Sequence, residues 1–223
     1  MVVTLITHTP EPEKVIASAA KLCYSSSDVE SLMNDLTTEK VENFIKKLMD
    51  LGHQSPLEHC SFTFGIEGIS RACSHQLVRH RLASYSQKSQ RYVKEGQFEY
   101  ITPKTIEEDD MLYLEYIRLM KSIQTFYNSA IKRDVPAEDA RFVLPNACET
   151  KLIMTMNIRE LLHFFDERCC NRAQWEIREL ANKMLEICKE IAPNIFKNAG
   201  ASCVRGKCKE GKMSCGHPKG GNS

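Results

Sequence analysis

The stretch Arg79–Tyr92 reads RHRLASYSQKSQRY, with two arginines around a histidine, then hydroxyl and amide side chains, then an Arg-Tyr pair. No Asp or Glu occurs anywhere between Ser70 and Lys94, although the whole chain balances 30 Lys+Arg against 29 Asp+Glu. Arginine offers forked donors that match phosphate or carboxylate, and Ser and Gln can bind the rest of a small ligand. The stretch therefore predicts an anion-binding site; the alternative is a solvated basic face.

The composition is that of a globular protein with one core. The chain has 223 residues, 42% of them hydrophobic and 26% charged, which one domain can accommodate. No run of about 18 apolar residues occurs, so we expect no membrane partner. The N-terminal MVVTLITHTPEPEK lacks the basic start and apolar core of a signal peptide, which predicts a cytoplasmic location. A net charge of +1 argues against a dedicated nucleic-acid binder.

Cysteine usage and missing motifs narrow the function further. Most of the 10 cysteines, such as Cys23, Cys60, Cys73 and Cys188, occur singly in apolar periodic segments and are predicted to be reduced and buried. No G-x-G-x-x-G follows a strand and no G-x-x-x-x-G-K-[ST] occurs, which argues against Rossmann and P-loop nucleotide sites.

Hydrophobic periodicity predicts a mixed α and β chain. Helices are expected at about 12–23, 37–51, 70–82, 107–132, 136–141, 157–169 and 173–191. Strands are expected at about 60–68 and 148–156, with shorter candidates at 91–93 and 98–101, and the Ser/Gln-rich piece after Leu82 is expected to be a loop. The predicted fold class is α+β: a single domain over 1–200 with a central, mainly antiparallel sheet and flanking helices. Residues 201–223 form a Cys-, Gly- and Lys-rich tail that we expect to be weakly structured.

Three further clusters could carry chemistry. In GHQSPLEH, Ser55, Pro56 and Glu58 can form a helix capping box, or His53 and His59 could bind a metal. Asn157 and Glu160 also have capping-box spacing. Arg159 and His163 share a helix face, where they could meet either ligand or solvent. In the tail, Cys203, Cys208, Cys215 and His217 could hold zinc, but their gaps are irregular, and the alternative is disorder with reactive thiols.

Taken together, these motifs resemble one family, the flavin-dependent thymidylate synthases. The family signature is R-H-R followed at fixed spacing by S and R-[YF], and Arg79-His80-Arg81, Ser89 and Arg91-Tyr92 match it. HQSPLEH, ARFVLP and NIRELLHFF followed by AQWEI resemble further family segments in the same order, so the similarity covers about 51–191. Ser86-Gln87 stands where many members carry Asn-Glu, and the tail has no counterpart in the family motifs.

The resemblance implies an NADPH-oxidising methyltransferase that converts dUMP to dTMP, with methylenetetrahydrofolate as carbon donor and FAD as hydride carrier. It also implies a homotetramer with active sites shared between subunits, no metal, and no cysteine nucleophile. The implied FAD-binding residues are Ser55, Arg79, His80, Arg81, Gln87, Asn157, Arg159 and His163. The implied dUMP-binding residues are Gln76, Arg79, Gln87, Ser89, Arg91, Arg141 and Arg168, with the Gln87 to Arg91 loop donated by another subunit. Arg168 is the implied catalytic residue, stabilising charge that develops on the N3/O4 edge of the uracil.

Two alternatives come from other classes of protein. A nucleic-acid-binding module braced by zinc in the tail would be colourless and would bind oligonucleotides in a salt-sensitive manner. A chain whose clusters are only capped helices and solvated faces would bind neither flavin nor nucleotide.

Overall fold

A computed structural model describes residues 1–220 of the chain, which form an α+β fold. The four strands are β1 (Val2–His8), β2 (Ser61–Ser70), β3 (Ala83–Gln87) and β4 (Glu149–Asn157). The first five helices are α1 (Pro12–Leu22), α2 (Val29–Asn34), α3 (Thr38–Asp50), α4 (Arg71–Leu77) and α5 (Lys104–Glu107). The others are α6 (Asp110–Lys132), α7 (Ala137–Ala140), α8 (Ile158–Arg168), α9 (Trp175–Ile191) and α10 (Pro193–Phe196).

The strands form one antiparallel sheet in the order β1-β2-β4-β3. The predicted alternation along β2 is confirmed, because Phe62, Phe64 and Ile66 are fully buried while their neighbours are less so. Strand β4 alternates in the same way, with Leu152 and Met154 buried. The antiparallel sheet of the predicted fold class is thus confirmed.

Several predicted elements are wrong. Residues 83–87 form strand β3 rather than a loop, because their backbone pairs in the sheet next to β4. Helix α4 begins at the Ser70 cap as predicted but ends at Leu77, five residues early. No strand forms at 91–93, and the 98–101 candidate is reduced to a single bridge between Tyr100 and Cys148.

The described chain divides into two compact units whose segments alternate along the sequence. The first unit comprises 1–2, 66–79 and 86–153, and the second comprises 3–65, 80–85 and the described residues from 154 onward. The first has a small core of Phe98, Met120 and Cys148, on which part-buried aromatic and aliphatic side chains pack. The second has an aromatic core in which Phe196 lies edge-on to Phe62 with a centroid distance of 6.0 Å. The predicted boundary between a domain at 1–200 and a tail stays a prediction.

The tail is more ordered than its composition predicts. Short 3-10 helices form at Ser202–Val204 and Gly211–Met213. The carboxylate of Asp166, on α8, accepts from Arg205 at 2.7 Å and from Lys209 at 2.6 Å. Lys219 donates to the carbonyl of Cys169 at 2.8 Å, directly after α8. Described tail residues are therefore fastened to the end of α8.

Ten thiols are free, as expected for reduced cysteines. Cys60, Cys73 and Cys188 are buried as predicted, but Cys23 is exposed because it follows the last turn of α1. No helix among residues 1–220 combines the length and apolar character needed to cross a membrane.

Candidate functional site

The N-terminus of helix α8 contains both the capping residue Asn157 and the buried carboxylate of Glu160. The side chain of Asn157 accepts a hydrogen bond from the backbone N–H of Glu160 at 2.8 Å, as its spacing predicts. The Glu160 carboxylate accepts from His80 rather than completing the predicted capping box. A residue that looked like a helix cap therefore belongs to a buried polar cluster.

His80 is the centre of this cluster and is 6% exposed. Its Nδ1 lies 3.2 Å from Oε1 of Glu160, and its Nε2 lies 3.1 Å from Nε of Arg168. The arginine Nε can only donate, so Nε2 of His80 must accept and Nδ1 must carry the proton. Phe164 packs edge-on against the imidazole at a centroid distance of 4.9 Å. The imidazole is therefore a neutral link from a carboxylate to a guanidinium.

The electrostatics agree with a neutral imidazole. Burial lowers the pKa of His80 to about 4, with further lowering by the positive charges of Arg168 and His163. Burial also raises the pKa of Glu160, which the nearby His163 partly offsets. At neutral pH His80 donates one hydrogen bond and accepts another.

The lowered pKa of His80 predicts acid sensitivity of the fold. Protons bind the unfolded histidine near its ordinary value of 6.5 but the folded one only near 4, so stability falls as the pH drops through that window. The expected loss is about 3 kcal/mol of unfolding free energy between pH 6.5 and pH 4. Glu160 acts in the opposite sense, since its raised pKa favours the folded state at low pH. Urea unfolding at several pH values measures this, and the His80→Gln variant should lose most of the slope.

His80, Glu160 and His163 also form the one group among residues 1–220 whose ligand atoms lie close enough together to hold a metal ion. His80 has no free nitrogen to offer, since one donates to Glu160 and the other accepts from Arg168. The tail residues Cys203, Cys208, Cys215 and His217 do not form such a group within the same described range. The zinc-braced alternative therefore gains no support from the tail.

The remaining predicted flavin residues of the second unit lie at the surface. The prediction that Ser55 caps a helix is wrong. Ser55 is itself the first residue of a 3-10 helix, Ser55–His59, and no side chain caps that helix. Arg159 forms an ion pair with Glu58, and both side chains remain about half exposed. Arg81 and His163 are exposed. Cationic side chains are thus available to an anionic ligand.

The first unit holds a second group of predicted residues. Gln87 donates to the hydroxyls of Ser74 at 2.9 Å and Thr150 at 3.1 Å, which fixes its amide. Ser89 accepts from the backbone N–H of Arg91 at 3.2 Å. Gln76 is half-buried and Arg79 is exposed.

Two arginines of the first unit meet at one glutamate. Arg91 Nε lies 3.5 Å from the carboxylate of Glu138, and Arg141 Nε donates to the Glu138 carbonyl at 3.2 Å. A third arginine of the first unit, Arg71, interacts electrostatically with Arg141, and its sequence motif did not single it out. Burial lowers its pKa, and the positive charge of Arg141 lowers it further. Its position inside the acid-free stretch was the available signal.

The structure thus divides the predicted residues between the two units. The first unit contains Gln76, Arg79, Gln87, Ser89, Arg91 and Arg141. The second contains Ser55, His80, Arg81, Asn157, Arg159, His163 and Arg168. The fold and these side chains define an α+β protein whose arginines have the donor geometry that binds anionic groups.

Comparison with known proteins identifies the family. The sequence profile described as "Thymidylate synthase complementing protein" (Thy1) matches residues 4–194. A Clostridium tetani protein named flavin-dependent thymidylate synthase is 54% identical over 96% of this chain and 92% of its own length. A Geobacter sulfurreducens protein of that name is 54% identical over 97% and 94%, and one from Pyrococcus furiosus is 44% identical over 93% and 89%. The chain belongs to the flavin-dependent thymidylate synthase family, which confirms the resemblance seen in its motifs.

Proposed function

We propose that this chain converts dUMP to dTMP, taking the methylene carbon from methylenetetrahydrofolate and reducing equivalents from NADPH through FAD. The observation that carries the proposal is the 54% identity, over nearly the whole chain, to two proteins named flavin-dependent thymidylate synthase. When bound, FAD supplies the hydride chemistry, and the protein supplies binding and orientation.

The donor set of the chain fits FAD. The flavin nucleotide carries a pyrophosphate, and the exposed Arg81 and the half-exposed Arg159 offer the forked donors that bind such groups. The Ser55 hydroxyl and the exposed imidazole of His163 add polar contacts. The residues proposed to line the flavin site are Ser55, Arg79, His80, Arg81, Gln87, Asn157, Arg159 and His163. Among them, His80 acts through other side chains, because both of its ring nitrogens already bind neighbours, whereas in Asn157 it is the side-chain oxygen that caps α8.

In the proposed dUMP site, Arg91 and Arg141 bind the phosphate and Arg168 contacts the uracil ring. Its residues are Gln76, Arg79, Gln87, Ser89, Arg91, Arg141 and Arg168. Arg91 and Arg141 share Glu138, which leaves them with more positive charge than that one carboxylate neutralises. A nucleotide monophosphate supplies the missing negative charge. Arg168 stabilises negative charge developing on the N3/O4 edge of the uracil, the step in which the ring is activated.

No cysteine is assigned a catalytic role. Burial raises the pKa of Cys60, Cys148 and Cys169 to about 11 each, which keeps these thiols protonated at neutral pH. A nucleophilic cysteine needs the opposite shift. Free thiols throughout also suit the reducing cytoplasm, which is the location we propose.

The proposed assembly is a homotetramer in which the Gln87 to Arg91 loop serves another subunit's site. Helix α6 supports the proposed assembly. It carries three exposed apolar residues seven positions apart, Leu112, Leu119 and Phe126, which are 44%, 55% and 59% exposed. Residues at that spacing lie on one side of a helix. Such an apolar side is typical of a surface that packs against another helix, and we propose that a second copy of the chain covers it.

The test is a dTMP assay with purified protein, dUMP, methylenetetrahydrofolate and NADPH, with and without added FAD. The expected result is dTMP that depends on all three substrates and on flavin. Protein that binds no FAD and forms no dTMP would reject the proposal, and salt-sensitive oligonucleotide binding in its place would favour the nucleic-acid module.

A further inference from the structure

Glu160 is a buried carboxylate that the proposed function does not yet use. It is 6% exposed, and its Oε1 accepts a hydrogen bond from the imidazole of His80, eighty residues earlier in the chain. Removing a carboxylate from water is costly unless it is well paired. That hydrogen bond comes from a neutral imidazole, and the nearby His163 offsets only part of the burial that raises the pKa of Glu160, so folding alone gives little reason for an acid at this position.

The other side of that imidazole faces the proposed catalytic arginine. Arg168 donates from Nε to His80 Nε2 at 3.1 Å. Among residues 1–220 the two terminal nitrogens of Arg168 have no hydrogen-bond or ion-pair partner. The nearby carboxylate of Asp166 is engaged by Arg205 and Lys209. The Nε contact therefore fixes the guanidinium while its terminal donors stay available to a ligand.

We propose that Glu160 is a positioning residue that orients Arg168 through His80. Because Glu160 accepts a hydrogen bond from Nδ1–H, it favours the tautomer of His80 whose Nε2 can accept a hydrogen bond from Arg168. The other tautomer would place an N–H of His80 against the N–H of Arg168 and release the guanidinium. The carboxylate also polarises the imidazole and strengthens its acceptor nitrogen. This inference rests on the proposed role of Arg168 in dTMP formation.

A cation shared by His80, Glu160 and His163 would give the same carboxylate a different purpose, but Arg168 argues against it. A metal would need His80 Nε2 or Nδ1 as a ligand, and it would displace a hydrogen bond that each nitrogen already makes. It would also stand beside the positive guanidinium of Arg168.

The first experiment measures kinetics of Glu160→Leu and Glu160→Gln. Leucine removes the acceptor, and we expect kcat for dTMP formation to fall about ten- to hundredfold, as is usual when an orienting partner is lost. The KM for dUMP and the flavin content should change little, because neither variant removes a ligand contact. Glutamine can still accept a hydrogen bond from Nδ1–H, so Glu160→Gln should keep much of the wild-type kcat. Glu167→Gln is the matched control on α8, where the side chain is exposed, and it should behave as wild type.

The second experiment asks whether Glu160 acts through Arg168. In an Arg168→Lys background the Nε donor is gone, so Glu160→Leu should lower kcat by no more than about twofold further. Losses that simply multiply would mean that Glu160 matters only for general stability and would overturn the proposal. Unchanged kcat in Glu160→Leu, in enzyme whose wild type forms dTMP, would overturn it too.

The third experiment needs neither activity nor a folded variant. Nitrogen-15 NMR of the imidazoles in the wild-type, flavin-free protein should show His80 protonated at Nδ1 around neutral pH. A ring protonated at Nε2 would contradict the proposed link. Because this readout does not depend on dTMP formation, failure of the proposed function and failure of the positioning role give different results.

Discussion

Arg168→Ala is expected to lower kcat for dTMP formation by about 10²- to 10³-fold, the usual loss when one donor that stabilises developing charge is removed. The guanidinium is fixed at Nε by His80 and keeps its terminal donors unpaired within the described chain. Alanine deletes the charge that we assign to the N3/O4 edge of the uracil, but no contact assigned to FAD. Flavin content should therefore stay near one per subunit, and the defect should lie in dTMP formation.

Two comparisons make this result specific. Arg168→Lys keeps a positive charge but loses the forked geometry, so its kcat should lie between those of the alanine variant and the wild type. Arg133→Ala removes an exposed arginine at the end of α6 and should leave kcat unchanged. Turnover of Arg168→Ala close to that of the wild type would remove Arg168 from the chemistry.

Leu119→Glu on α6 is expected to dissociate the proposed tetramer and abolish most dTMP formation. Leu119 lies between Leu112 and Phe126 on the exposed apolar side of the helix, and a carboxylate there would be buried without a partner on assembly. Activity should fall with assembly, because the Gln87 to Arg91 loop is proposed to serve a neighbouring subunit. Light scattering after gel filtration measures the mass, and the dTMP assay is run on the same fractions.

The matched control is Thr125→Glu, which adds the same charge on the same helix. Thr125 is exposed and lies on the side of α6 away from Leu119, given the helical spacing of six residues. This variant should stay tetrameric and active. Wild-type protein that is already monomeric, or Leu119→Glu that remains tetrameric, would remove α6 from the proposed interface.

The elements that could be predicted are those whose own residues show a regular pattern of apolar side chains. Strand β2 alternates Phe62, Phe64 and Ile66 with small or polar residues, and helix α6 is long enough for its boundaries to show. Strand β3 could not be predicted, because its residues ASYSQ have no apolar alternation and become a strand only by pairing in the sheet. Strand β1 was missed because most of its side chains are exposed or half-buried, so they leave no clear pattern.

In the site, too, contacts between residues close in sequence could be predicted, and contacts between distant residues could not. Asn157 was predictable as a helix cap, since its partner Glu160 is three residues away. The contact of Glu160 with His80 was not, because the fold brings the two together across eighty residues and the local spacing favoured a capping box. Arg91 and Arg141 were expected from family motifs, but their common partner Glu138 is visible only in the structure.

The most direct test of the proposed function is the visible spectrum of the purified protein during one anaerobic turnover. The protein should be yellow, alone or after adding FAD, and NADPH should bleach the flavin. Adding dUMP together with methylenetetrahydrofolate should restore the oxidised spectrum and yield about one dTMP per flavin, since each turnover uses the hydride of one reduced cofactor. A protein that shows no flavin spectrum even with added FAD, or whose reduced flavin is not reoxidised by the two substrates, would contradict the account.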